Sequence, residues 1–427
     1  MRGRLQQQLR MPPRGRSGAW LFALGIALVL AIQPIWPDRT AVAVAAAIAV
    51  TLVAAARWQL RWTPVIVLVA CAIVLRLAVM EREASDVSDV TSAAIQTVLN
   101  GNNPYGFGYV VSRPPWAPFP YGPVALLWYL PVFRDPAMIE FLVSIALILF
   151  FGVRAANGRP VGLAIFATAP PLVLAAMDGS NDTSAGLLIL AALVVAAKRP
   201  LIGAVLLAVA VAFKPYAFAW LPPLVIWAGL PTLVAFGIAS LVVWAPVLVA
   251  WGPSSYLRSL SLAHEVHLRQ SYWSLAAVLE PFLPGGAGRV LETARYFVAG
   301  AVAVLGGLRV RSIDGVIIVG TVVFLIAQFG GYFGSYVYLA AIAPILCWRI
   351  DDWLRRGLPE VVRAYAEVPD VARRLRRPAV AAAPSRSSAA TTRSSAAPVR
   401  AVHAAHSAHA VHEARLRPGR PTRNPAA

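Results

Sequence analysis

The feature that most constrains this chain is the recurrence of apolar runs of about 14 to 21 residues, each ended by Gly, Pro or Arg. A hydrocarbon core of ~30 Å takes an apolar helix of about 20 residues, fewer when the helix is short or upright. Lipid offers no partner to backbone amides, so only helices and closed barrels span it. The alternation of a barrel strand, about ten residues long, is absent from the sequence. Composition agrees: 59% of the 427 residues are hydrophobic, 13% are charged and mean hydropathy is +0.66. A soluble chain carries about a quarter charged residues. The pattern predicts an all-α polytopic membrane protein, a bundle of about 12 transmembrane helices.

The net charge of +19 does not indicate nucleic acid. The basic residues are nearly all Arg and gather at the ends of the apolar runs and in the two termini, the pattern of an orientation signal and of contact with anionic lipid headgroups. Cys71 and Cys347 sit inside apolar runs, so neither a disulfide framework nor a Cys metal site is expected. Residues 1–17 carry Arg2, Arg4, Arg10, Arg14 and Arg16 and read as a cytoplasmic terminus before an uncleaved first span.

Threading by basic turns gives spans at about 18–35, 40–56 and 63–80, then a first outer loop at about 81–136. Within that loop the apolar piece 121–133 is too short to cross and reads as re-entrant or interfacial. Spans follow at about 137–153, 160–177, 184–197, 200–213, 217–229 and 231–251, then a second outer loop at about 252–289. Spans at about 290–308, 313–330 and 335–349 close the membrane domain, 18–349. Arg57, Arg61, Arg154, Arg159, Lys198, Arg199, Arg309 and Arg311 then all face the cytoplasm. Residues 350–377 read as an amphipathic helix lying on the membrane. The cytoplasmic tail, 378–427, is Ala, Arg, Ser, Pro and His and too poor in large apolar residues to fold. Its His403, His406, His409 and His412 read as compositional drift rather than a metal tract.

Sorted by side, the outer face gathers Asp86, Asp89, Arg113, Arg134, Asp135, Asp178, Asp182, Lys214, His264, Glu265, His267 and Arg269; Arg76, near the end of the third span, is the nearest to an exception. Charges at the mouth of a span are costly, which marks them as functional candidates. Lys214, one of two lysines, precedes Pro215-Tyr216; the plainer reading of it is snorkelling. Residues 89–99 suit a surface helix stopped by Asn100-Gly101 with Asp86 at its entrance. Asp86 and Asp89 are therefore candidates both for chemistry and for the N-cap. His264 and His267 share a helix face, but two imidazoles without a third ligand leave no metal and no cofactor expected. Trp273 adds stacking surface beside Arg269.

The run Asp86 … Gly101-x-Asn103-Pro104-Tyr105, with Pro118-Phe119-Pro120-Tyr121-Gly122-Pro123, resembles the C-type (GT-C) glycosyltransferases. Within them it is similar to glycosyltransferase family 87, the polyprenol-phosphate-mannose-dependent mannosyltransferases of actinobacteria. Asp178-Gly179-Ser180-Asn181-Asp182 looks like that family's Gly-x-Asn-Asp turn, and Gly203–Phe213 with Lys214-Pro215-Tyr216 looks like its helix ending in Lys-Pro. The resemblance covers about residues 80–225. It implies transfer of a sugar, with inversion, from a polyprenyl-phosphate donor to a hydroxyl of a lipid or glycan acceptor at the outer face. It implies Asp86 as general base with Asp89 as the alternative. The donor phosphate's candidate partners are Lys214 first, then Arg134, Arg113, Arg269, His264 and His267. Substrate contacts would come from Asn103, Tyr105, Tyr121, Asp178, Asn181, Asp182 and Tyr216, with Trp273 as a stacking wall. A transporter or a flippase of lipid-linked sugars is the rival class; a transporter's inverted repeats are not visible in the sequence, whereas a flippase would want the same outer phosphate site. Abundant Ala, Arg and Pro with little Lys points to a GC-rich, actinobacterial source.

Overall fold

The computed structural model describes residues 13–58, 62–80, 85–113, 115–266, 273–282, 287–331 and 334–356. The chain divides into a unit from Met1 to Arg377 and another from Pro378 to Ala427. All described residues belong to the first. The expected surface helix beyond Arg356, the tail, His267 and Arg269 lie outside the described residues.

The described residues are almost wholly helical. Helices α1 (Pro13–Ala31), α2 (Asp38–Arg57) and α3 (Thr63–Ala78) precede α4 (Asp86–Leu99). Strands β1 (Gly108–Tyr109) and β2 (Ala117–Pro118) pair antiparallel, Gly108 opposite Pro118 and Tyr109 opposite Ala117. Then come α5 (Pro123–Tyr129), α6 (Ala137–Ala156), α7 (Val161–Thr168), α8 (Pro170–Met177), α9 (Asp182–Ala196) and α10 (Pro200–Phe213). A 3-10 turn, Pro215–Trp220, leads into α11 (Leu221–Ala228) and α12 (Leu230–Val266). The short α13 (Leu275–Leu279), then α14 (Ala287–Gly307), α15 (Ile313–Phe329) and α16 (Tyr338–Arg356) complete the described fold. By length and composition α2, α6, α12 and α14 each suffice to cross a membrane, and α8 with α9, bent by 110°, adds a fifth if the pair is one span. Helices α1, α3, α10 and α15 are apolar over 10–17 residues. The protein is all-α and membrane-embedded.

Two departures from the expected spans have local causes. The run 160–177 is two helices, because Ala169 is extended (φ −69°, ψ 119°) before Pro170; proline disfavours a helical conformation in the residue preceding it. Pro170 and Pro171 also lack the amides that would reach the carbonyls of Phe166 and Ala167, four residues back. Arg76 from α3 supplies the donors instead: Nη2 lies 3.1 Å from Phe166 O and Nη1 3.3 Å from Ala167 O. Its Nε donates to Ser144 Oγ at 2.7 Å, and the guanidinium lies 5.4 Å from the Phe166 ring centre. Arg76 is 0% exposed and has no acidic partner among the described residues. The second departure is in the expected loop 252–289, whose first part is helix. Gly252 (φ 73°, ψ 158°) breaks α12, and Pro253 starts a second half that runs to Val266.

Glycines set the closest helix contacts, as is common between membrane helices. A Cβ on Gly203 would lie 2.4 Å from that of Ala196, and one on Gly162 2.2 Å from the Cys347 carbonyl oxygen. Where α6, α7 and α16 meet, Asp351 caps α7 by accepting from the Val161 and Gly162 amides, both at 3.0 Å. Asp352 pairs with Arg159 at 3.0 Å, and Asp314 accepts from Arg349 at 2.6 Å and Arg356 at 2.8 Å. Besides the residues expected on the outer face, the fold thus holds three aspartates, Asp314, Asp351 and Asp352, among arginines, and Arg76 in the core.

Candidate functional site

The site is built from the head of α4. Ser85 caps the helix by accepting from Val87 N at 3.3 Å, so the cap is this serine rather than Asp86 or Asp89. The Ser85 amide also donates to Asp178 O, tying α4 to the turn between α8 and α9. Asp86 is half-buried. Its Oδ2 accepts from the Arg113 backbone amide at 2.6 Å, and its other oxygen has no donor among the described residues. Asp89, three residues on, is exposed.

The hairpin presents that Arg113 amide. Ser112 Oγ donates to Tyr109 O and accepts from Ala117 N, both at 2.7 Å, closing the loop. Gly108 has no room for a side chain, because a Cβ there would lie 2.1 Å from Trp116 O. Tyr109 donates to Pro104 O at 2.8 Å, and burial pushes its hydroxyl up to about 12. Asn103 Oδ1 accepts from Tyr105 N at 2.9 Å. The Tyr105 ring packs with Phe119, Trp251 and Tyr256 at centroid distances of 5.8, 5.9 and 5.3 Å. Asn103 and Tyr105, expected against substrate, therefore shape the loop. The second half of α12 clasps it from above: Gly106 N donates to Ser259 Oγ at 2.8 Å and Tyr256 to Pro120 O at 3.3 Å.

On the other side stands Lys214, the extended residue between α10 and its 3-10 turn (φ −143°, ψ 117°). Its Nζ lies 2.9 Å from Asp182 Oδ1, which also accepts from the Tyr216 hydroxyl at 2.5 Å. The ammonium sits 5.3, 5.1 and 5.8 Å from the ring centres of Tyr121, Tyr216 and Tyr338. Cation–π attraction grows where water is excluded, and Lys214 is 6% exposed and Asp182 1%. The expected phosphate anchor is thus a caged ammonium already matched by a carboxylate. Asp178 closes the neighbouring turn, accepting from Ser180 N at 2.8 Å and from Tyr336 at 2.9 Å; Gly179 takes the positive φ of 75° that the turn requires. Asn181 is 1% exposed, and neither atom of its amide makes a hydrogen bond among the described residues. It lies toward the Tyr121 hydroxyl, which also feels the charges of Asp86 and Asp182. Tyr121 is where the two halves meet.

The remaining candidates stand elsewhere. Arg113 and Arg134 have exposed side chains, the latter 5.8 Å from the Phe133 ring centre. His264 pairs with Glu292 of α14 (Nδ1–Oε1 3.7 Å), and Glu292 is bonded to Arg295. Trp273 is exposed, its ring 6.3 Å from that of Tyr336. Among the described residues no three His, Cys, Asp or Glu form a metal-binding group.

The structure adds residues that sequence reasoning missed. Tyr336 and Tyr338 come from a stretch whose sequence shows only hydropathy. Glu140, a lone acid inside the apolar α6, carried a signal that went unused. It is fully buried beneath α9, accepting from Tyr129 at 2.5 Å, from Ser184 N at 2.9 Å and from Ser184 Oγ. Compared with protein-family models, curated proteins and solved structures, the chain matches none.

Proposed function

We propose that the chain is a GT-C type glycosyltransferase with twelve membrane crossings, cytoplasmic termini and a site on the outer face of the cell membrane. In this reading it moves a hexose, with mannose the first to test, from a polyprenyl-phosphate donor to a hydroxyl of a lipid or glycan acceptor. The observation that carries the proposal is the state of Asp86: one oxygen is fixed by the Arg113 amide and the other is unoccupied by any described donor, in a half-buried position near Tyr121. A carboxylate so held suits a general base. The acceptor hydroxyl gives its proton to Asp86 while its oxygen bonds to the anomeric carbon. The bond from that carbon to the phosphate oxygen breaks, and polyprenyl phosphate leaves from the opposite face, which inverts the centre. A phosphate leaving group needs no acid, only positive charge or donors to receive it. Arg113 and Arg134 offer exposed guanidiniums, while Lys214 with Asp182 orders the tyrosine wall.

The test is transfer from polyprenyl-phosphate mannose in membranes containing the protein. Removing a general base costs about 10²- to 10⁴-fold, so Asp86→Asn abolishes measurable transfer at normal expression, and the exposed Asp89→Asn leaves it near wild type. Transfer that survives Asp86→Asn removes the base assignment. Movement of the lipid-linked sugar between leaflets without release of polyprenyl phosphate makes the protein a flippase instead.

A further inference from the structure

Resting on that reading, we infer that Asn181 is the residue that reads the transferred sugar, its amide and the Tyr121 hydroxyl forming a subsite for monosaccharide hydroxyls. A carboxamide carries two donors and an acceptor oxygen with two lone pairs. Burying these unpaired is unfavourable, and native proteins keep such groups only where something compensates. At Asn181 both the donor and the acceptor side are without a described partner at 1% exposure. The side chain does not cap α9, so helix capping does not explain its presence. The next residue but one, Thr183, repeats the pattern, with Oγ1 unpartnered at 1% exposure.

The surroundings select the ligand. Asn181 lies toward the Tyr121 hydroxyl, and the rings of Tyr121, Tyr216 and Tyr338 stand around the Lys214 ammonium beside it. Asp182 balances that ammonium, so Lys214 adds no net positive charge beside Asn181. Unpaired donor and acceptor groups beside aromatic faces suit a polyhydroxylated ring, whose hydroxyls both give and accept hydrogen bonds. A site built to bond a particular hydroxyl also rejects the epimer that misplaces it, because its own buried groups are then left unpaired.

The experiment uses the full chain in lipid nanodiscs, with methyl α-mannoside, methyl α-glucoside and methyl α-galactoside as probes. Binding is followed by saturation-transfer NMR and thermal unfolding by intrinsic fluorescence. Wild type is expected to bind one glycoside in preference to its epimers. Asn181→Leu, of similar size, is expected to raise the melting temperature while weakening that binding at least about tenfold and erasing the preference. If that variant does not fold, Asn181→Ala carries the same binding comparison. Wild type that binds none of the three glycosides, or an Asn181 variant that keeps the same affinity and preference, overturns the inference; the latter result means the amide holds a buried water. Asp86→Asn separates the two claims. Selective binding that depends on Asn181, without any transfer by wild type, sinks the transferase and leaves the sugar site. Transfer whose epimer choice is indifferent to Asn181 does the reverse.

Discussion

Arg76 offers the sharpest quantitative test of the fold. Arg76→Met removes the donors to Phe166 O, Ala167 O and Ser144 Oγ and puts a flexible apolar chain in their place. Hydrogen bonds between membrane helices average only ~0.6 kcal/mol, because the unfolded chain in lipid finds other partners. Three such bonds set a lower bound of about 2 kcal/mol by that measure. The two carbonyls, left buried and unpaired at ~1–3 kcal/mol each, set an upper bound near 6 kcal/mol. Against this stands the relief of no longer burying a guanidinium, which in some proteins outweighs the bonds it makes. Loss of the bonds should win here, because prolines at 170 and 171 leave the carbonyls no other amide. The melting temperature should fall by at least about 4 °C, taking ~2 °C per kcal/mol for a chain of this size. The decisive arm is the cycle with Pro170→Ala/Pro171→Ala, which gives the carbonyls their own amides. In that background the cost of Arg76→Met should shrink by about 1–2 kcal/mol, well beyond the ~0.5 kcal/mol within which independent sites add. Additive changes, or a wild-type background stabilised by Arg76→Met, refute the argument.

Three further outcomes follow from partners already described. Lys214→Met strands the Asp182 carboxylate at 1% exposure and should cost about 3–5 kcal/mol; adding Asp182→Asn should restore most of the melting temperature without restoring transfer. Glu140→Ala should lower the melting temperature more than Glu140→Gln, because the amide oxygen still accepts from Tyr129 and Ser184, whereas the Ala variant strands these buried donors at about 1–3 kcal/mol each by thermal unfolding. Asp351→Ala should destabilise by about 1–2 kcal/mol through loss of the acceptor for Val161 and Gly162 amides at the start of α7, measured the same way, and should leave sugar transfer intact.

How much was legible in the sequence varied with the kind of signal. Helix ends marked by proline and glycine were plain: α10 occupies 200–213 as expected, and α4 stops at Asn100-Gly101 with Gly101 at φ 77°. The break at Ala169 was not, although Pro170-Pro171 announced it, because an apolar stretch of spanning length outweighed the two prolines. Asp86, Lys214 and Asp182 were legible as polar residues expected on one side, Tyr121 only through the family resemblance, and the fold brings the four together. Their pairing was invisible, since it depends on α10 meeting α9 in three dimensions. Tyr338 and the clasp of Ser259 on Gly106 come from segments with no motif, and no spacing along the chain predicts them.

The tether between Ser85 and Asp178 joins a main-chain amide to a main-chain carbonyl, and Asp86 is steered by the main-chain amide of Arg113. Backbone atoms are common to every residue type, so neither bond needs a particular side chain at 85, 178 or 113; of the twenty residues only proline removes a donor. The aim of this carboxylate therefore does not depend on which side chains stand at 85, 113 and 178, and the constraint falls instead on Gly108 and Ser112, which hold the hairpin closed.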